Sequence, residues 1–279
     1  MMPSRVLTPA VALWCLVTLM AIGAPGARAE IASQWSEGHA SRARLVAGNG
    51  LAGVELQLSD GWKTYWRNPG DAGGVPPSFD WSKSQNLASA KVLYPAPKRF
   101  SDGGGQTIGY KGTIVFPVKL EAKDPTKPID LHLVLDYGVC KEICIPAEAD
   151  LSLAITPGQE KESSPELAEA LLHVPANKSA RRPGDPVLKS AHADVSGGKP
   201  QLVLEAEFPG GTEHADIFVE GPDGLYVPMP AKTKADASGN ATFTVDLSDG
   251  PDVAELKGKP LTATLVSEGG QSEATFSID

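Results

Sequence analysis

The chain has 279 residues, with 25 Lys and Arg against 34 Asp and Glu and a formal net charge of −9. An acidic chain without a basic cluster suits neither nucleic acid nor an anionic membrane surface. At 41% hydrophobic residues it is too apolar for global disorder, and it is long enough for one large core or two ordinary ones.

Residues 1–29 read as a secretory signal peptide. Arg5 precedes an apolar run over 11–22, then helix-breaking Pro25 and Gly26, and Ala27-Arg28-Ala29 forms a small-x-small cleavage site before Glu30. The run is short for a bilayer span, and no later stretch is long enough to be one. The expected mature chain is residues 30–279, which is not membrane-spanning and carries 23 basic against 34 acidic residues. Cys15 lies inside the apolar run, not directly after the cleavage site, so it is removed rather than lipidated. Export places the two remaining cysteines, Cys140 and Cys144, where a close thiol pair oxidises.

From 36 to 155 the pattern is short and alternating. Val54, Leu56 and Leu58 share one face. A β-rich run follows over 113–120, where Pro117 predicts an edge strand or a bulge. Leu131, Leu133, Leu135 and Tyr137 then share a face, with His132, Val134 and Asp136 opposite, and Leu151, Leu153 and Ile155 repeat the alternation. Period two with Gly and Pro punctuation predicts antiparallel β structure, most simply a sandwich. The stretch 157–186 reads as a linker with one short helix: Ser163 or Ser164 caps it, Pro165 opens it, and Leu167 and Leu171 lie four apart. Alternation returns over 187–279 in Leu202-Leu204-Ala206-Phe208, Phe243-Val245-Leu247 and Leu261-Ala263-Leu265. This predicts a second β domain without cysteine or a dense cluster of catalytic residue types, read as a structural or docking module.

The chemistry concentrates in Cys140-Lys141-Glu142-Ile143-Cys144, between two predicted strands. Cys140 has the parity of Asp136, opposite the leucine face, provided Gly138 does not break the register. A bridge closing about five residues contributes only about 2 kcal/mol in the chain-entropy model, an inefficient way to hold so long a chain. Secreted proteins nevertheless carry inert disulfides, so spacing alone leaves a structural staple and a working dithiol open. Lys141 favours a thiolate at Cys140, while Asp136 and Glu142 oppose it. Two cysteines make half a tetrahedral zinc site, although soft Cu(I) accepts two thiolates. No cofactor motif is present: Gly104 and Gly109 have phosphate-loop spacing, but Tyr110 stands where a lysine is needed.

The segment 136–148, Asp-Tyr-Gly-Val-Cys-Lys-Glu-Ile-Cys-Ile-Pro-Ala-Glu, resembles the periplasmic N-terminal domain of the thiol:disulfide interchange protein DsbD, especially its ScsB-like branch. The likeness continues in the blocks 61–71 (Gly-Trp-Lys-Thr-Tyr-Trp-Arg-Asn-Pro-Gly-Asp), 94–100 and 108–112. The tail resembles the second periplasmic domain of ScsB-type proteins less specifically. The resemblance implies two immunoglobulin-like β-sandwiches, with a redox domain over 30–156 and a second sandwich over 187–279. It further implies a Cys140–Cys144 disulfide that relays reducing equivalents to periplasmic thioredoxin-fold partners. The site would be surrounded by Asp136, Tyr137, Lys141, Glu142, Tyr65, Trp66, Phe100 and Tyr110. Relatives continue into a membrane domain, and here a separate inner-membrane electron donor is expected. DsbD shields its disulfide with an aromatic loop. The matching stretch, 100–110, holds Gly103-Gly104-Gly105 between Phe100 and Tyr110 and is expected to be mobile. The rival readings are a non-enzymatic interaction module with a structural disulfide and a Cu(I)-binding protein of metal stress.

Overall fold

A computed structural model describes residues 31–102 and 105–279, so the expected signal peptide lies outside the described residues. The first part of the chain forms β1 (Ile31–Ala32), β2 (Ser36–Gly38), β3 (Ser41–Gly48), β4 (Leu51–Leu58), β5 (Lys63–Tyr65) and β6 (Ser78–Asp80). It continues with β7 (Leu87–Val92), β8 (Lys98–Asp102), β9 (Gly105–Lys111), β10 (Thr113–Ala122), β11 (Ile129–Cys140) and β12 (Cys144–Ile155). One sheet runs β1-β3-β4-β10-β7, with β2 on β3; the other runs β12-β11-β5-β9-β8, with β6 on β11. The strand pairings are antiparallel, and apolar faces meet between the sheets: Leu45, Val54, Leu56 and Phe116 against Leu131, Leu133, Leu135 and Leu151. Burying period-two faces in this way is what makes a sandwich stable. The β3–β4 turn is Asn49-Gly50, both with positive φ (55° and 77°), as a tight hairpin turn of this twist requires.

Pro117 departs from expectation. β10 lies inside its sheet between β4 and β7, and the register shift falls at Glu121/Ala122. The reason is local: the Pro117 carbonyl accepts from the Leu93 amide just past the end of β7, so only one bond is lost on that side.

Helix α1 (Pro165–Leu172) begins at Ser164, whose hydroxyl accepts from the Leu167 amide. Leu167 and Ala170 pack on Val46, Leu51 and Val115, outside the first sandwich. The remaining strands are β13 (Val187–Asp194), β14 (Gln201–Glu207), β15 (Asp216–Glu220), β16 (Ala231–Ala235) and β17 (Asn240–Asp246). A short helix α2 (Val253–Leu256) follows, then β18 (Leu261–Ser267) and β19 (Gly270–Phe276). The sheets β13-β14-β17-β16 and β15-β18-β19 enclose a second core of Leu202, Leu204, Phe243, Val245, Ile217 and Leu265. The fold is all-β: two immunoglobulin-like sandwiches and a connecting segment with a short helix.

The two sandwiches meet along β15. Ile217 and Val219 point into their own core, so alternation turns Asp216, Phe218 and Glu220 outward. Phe218 is buried in the first core, 5.8 Å from the Trp66 ring. On either side of it, Asp216 accepts twice from Arg99 (2.8 and 2.7 Å) and Glu220 twice from Arg67 (2.8 and 2.6 Å). Arg67 also donates to Glu273 at 2.6 Å. Burial works against its charge, but the Glu220 and Glu273 carboxylates outweigh that, so its pKa rises. No helix among the described residues is long and apolar enough to cross a membrane.

Candidate functional site

The β11–β12 ladder runs unbroken from Ile129↔Ile155 to Cys140↔Cys144, so Gly138 does not shift the register. Cys140 therefore keeps the parity of Asp136 and stands on the outward face of its sheet. The hairpin closes through Lys141-Glu142-Ile143, and a disulfide joins Cys140 to Cys144 with Cα atoms 4.2 Å apart. Pro146 is tolerated because β12 is an edge strand. Cys140 is buried, at 1% exposure, whereas Cys144 is exposed. The same bridge thus has one covered and one reachable side.

The cover is Tyr65. In β5 the outward residues are Lys63 and Tyr65, while Thr64 points inward and donates to the Gly138 carbonyl at 2.8 Å. The Tyr65 hydroxyl lies 2.8 Å from Cys140 Sγ and 2.9 Å from Cys144 Sγ. Disulfide sulfurs carry no proton, so the phenol is the donor and shares its one hydrogen between them. Burial raises its pKa, which keeps that proton in place at neutral pH.

The chain after β5 returns over this tyrosine. Gly74 lies against the Tyr65 ring so closely that a Cβ there would sit 2.2 Å from ring carbon Cε1, and its φ is +152°. The next residue, Val75, accepts from the Gly138 amide at 3.1 Å. Val75 (43% exposed) and Ile143 (67%) leave apolar surface on two sides of the pair, unlike most large apolar side chains among the described residues.

Lys63 is the Cα partner of Cys140 across β5–β11 and shares its face. It is buried and donates to Thr107 Oγ1 at 2.8 Å; burial, and then repulsion from Lys111, lower its pKa. The sequence reading missed it. The signal was present in the alternation of Lys63 with Tyr65, but no pattern announced which strand would lie beside the cysteines.

The other predicted surroundings separate. Lys141 lies over Gly61, and Glu142 is exposed in the hairpin turn. Asp136 is exposed opposite Glu148, two outward pairs from the bridge. Tyr137 points the other way, into the core, with its hydroxyl 2.8 Å from Ser41 Oγ. Trp66 and Tyr110 are also core residues, and Tyr110 donates to the Pro95 carbonyl at 2.8 Å. Phe100 lies on β8, beyond β5 and β9 from the pair, under the Lys111 ammonium at 4.6 Å. The structure thus gathers Tyr65, Lys141 and Glu142 near the bridge and places Trp66, Tyr110 and Tyr137 in the packing beneath it. In the glycine stretch, Gly103 and Gly104 lie outside the described residues, and Gly105 begins β9. Among the described residues no group of three or more His, Cys, Asp or Glu could hold a metal ion.

The family profile described as "Thiol:disulfide interchange protein DsbD, N-terminal" matches residues 34–156, and a domain of unknown function, DUF8393, matches residues 173–279. The crystal structure of the N-terminal periplasmic domain of ScsB from Proteus mirabilis is similar at 24% identity. It has a TM-score of 0.68 and the match covers 90% of this chain and 99% of that one, which establishes the likeness of fold. The reduced N-terminal domain of Neisseria meningitidis DsbD matches 42% of this chain and 85% of its own, at 22% identity and a TM-score of 0.26. No curated protein matches the chain. Residues 34–156, with the Cys140–Cys144 disulfide at the end of their longest hairpin, are a DsbD/ScsB-like N-terminal domain of the thiol:disulfide interchange family.

Proposed function

We propose that this chain is a periplasmic thiol–disulfide exchange protein in which Cys144 meets the partner and Cys140 completes the transfer. The observation that carries the reading is the asymmetry of the bridge: exposed at Cys144, buried beneath the Tyr65 hydroxyl at Cys140. In the reduced protein the Cys144 thiolate attacks a partner disulfide. A sulfur–sulfur bond forms to one partner sulfur while the partner's own bond breaks and releases a thiolate. The Cys140 thiolate then attacks the Cys144 sulfur, restores the internal disulfide and frees the second partner sulfur. Two electrons and two protons pass from the dithiol to the partner. A dithiol donor at the inner membrane reverses the sequence and recharges the pair.

Tyr65 supports this chemistry in both directions. Its O–H stabilises whichever sulfur carries negative charge as the bridge opens, without needing to ionise. Val75 and Ile143 supply apolar contact for a protein partner, and thioredoxin-fold proteins are the class proposed. An inert staple would gain nothing from an exposed cysteine flanked in this way. The division of labour follows the expected boundaries: the redox domain over 30–156, the linker over 157–186 and the second sandwich over 187–279.

Cys140→Ser leaves the reachable Cys144 able to form a mixed disulfide that cannot be resolved. It is expected to trap thioredoxin-fold proteins from periplasmic extract, while Cys144→Ser traps far less. If neither variant holds a partner, the exchange reading fails.

A further inference from the structure

Residues 66–75 form a strap that touches the second sandwich at one end and the Tyr65 ring at the other. Arg67 is clamped by Glu220 and Glu273. Four residues on, Asp71 Oδ1 accepts from the Tyr226 hydroxyl at 2.6 Å and from the Met229 amide at 3.0 Å, both from the second sandwich. Gly70 fits against Met229 so closely that a Cβ would lie 2.9 Å from its sulfur. The first sandwich holds the same stretch through the Ile108 amide on the Pro69 carbonyl and the Ala72 amide on the Gln106 carbonyl. The strap then passes through Gly73 and Gly74, presses on the Tyr65 ring and ties to β11 at Gly138.

Two adjacent glycines make a soft link, so what holds the strap upstream decides how firmly it presses downstream. Asp71 is the last anchored side chain before that link, and both groups bonded to its carboxylate come from the other sandwich.

We infer that the second sandwich is a positioning element of the redox site: Tyr226 and Met229 fix Asp71, and the 66–75 strap thereby holds the Tyr65 hydroxyl on the Cys140 and Cys144 sulfurs. The mechanistic consequence rests on the exchange reading above; the positioning itself does not. Asp71 and Tyr226 are positioning residues, since neither touches a sulfur. The inference gives the tail domain a task inside the redox centre. A tail acting as a passive spacer would leave the sulfurs' environment untouched.

The test is a titration of the thiolate in the full chain after reduction with dithiothreitol, read by ultraviolet thiolate absorbance. Tyr65→Phe sets the scale by removing the hydroxyl outright. Tyr226→Phe deletes one oxygen at a half-exposed site and leaves the fold intact, and Asp71→Ala removes the anchor itself. Each strap variant is expected to raise the thiol pKa by part of the Tyr65→Phe shift, enough to lower the thiolate fraction by roughly twofold or more at a pH below the pKa. The charged groups near the pair, namely Lys63, Lys141, Glu142, Asp136 and Glu148, are unchanged by Tyr226→Phe.

The decisive comparison is the double variant. With Tyr65 already Phe, Tyr226→Phe is expected to add nothing, because its effect runs through the lost hydroxyl. A merely structural role would lower thermal stability and leave the titration in place. An unshifted titration in both strap variants, or full additivity in the double, overturns the inference. The titration needs only a small-molecule reductant. Failure of the exchange reading, seen as no turnover of the wild-type protein with a thioredoxin-fold partner, is therefore read separately.

Discussion

Tyr65→Phe isolates one hydrogen at the centre of the site. In the bridged state the phenol divides it between two sulfurs at 2.8 and 2.9 Å, neither charged. After reduction a thiolate takes it whole, and a hydrogen bond to a charged group contributes about 1.5–3 kcal/mol. Cys144 is exposed, so water replaces part of what is lost, and the lower end applies. About 1.5 kcal/mol corresponds to roughly one unit of thiol pKa, upward in the variant. Thiolate at neutral pH then falls by up to about tenfold. The remaining thiolate is the more basic and so the better nucleophile, which returns part of the rate; with a Brønsted slope of about 0.4–0.5 the net slowing is roughly three- to fourfold. Above the thiol pKa the reduced form has lost its stabilisation, so the reduction potential moves about 30 mV more negative. The assay pairs thiolate titration with stopped-flow exchange against a thioredoxin-fold disulfide. A variant with wild-type pKa and potential would refute the hydrogen bond as a working part of the site.

Two other outcomes test the frame around the pair. Lys63 binds fewer protons when folded than when unfolded, since burial and Lys111 lower its pKa; stability should therefore rise with pH toward the ordinary lysine value, and Lys63→Met should flatten that rise in denaturant melts. A rise that persists unchanged in the variant would assign it to other groups. Leu167→Ala empties a fully buried position between helix α1 and the first sandwich and should cost about 2–4 kcal/mol in urea unfolding, without altering the thiol titration. A loss under about 1 kcal/mol would mean that the helix is not anchored there.

The parts legible from sequence are those set by local periodicity. Leucines 131, 133 and 135 announced their face, Ser164 and Pro165 announced the helix, and the parity of Cys140 with Asp136 survived Gly138 because the ladder stayed in register. What escaped was lateral. Tyr65 lies 75 positions before Cys140, and nothing in either segment states that β5 pairs with β11. For the same reason Tyr65 and Trp66 were both expected around the pair. Alternation within β5 sends Tyr65 to the sulfurs, whereas Trp66 is carried into the core just beyond the strand. The Asp216-Ile217-Phe218-Val219-Glu220 stretch reads as an ordinary strand until its outward face meets Arg99, Trp66 and Arg67. Pro117 misled because it falls where the β7 pairing ends: its carbonyl still accepts from Leu93, and only one bond is lost.

The unbroken ladder that ends at Cys140 and Cys144 has a dynamic meaning as well. Backbone bonds along two twelve-residue strands already bring the two Cα atoms together, whether or not the sulfurs are joined. Opening the bridge frees a three-residue turn and little else. In the proposed exchange the two oxidation states would thus differ little in shape, with reorganisation confined to the turn, one hydroxyl and the solvent beside Cys144. Under the exchange proposed above, partners would read the pair through its sulfur chemistry, and neither time nor free energy would go to refolding between one encounter and the next.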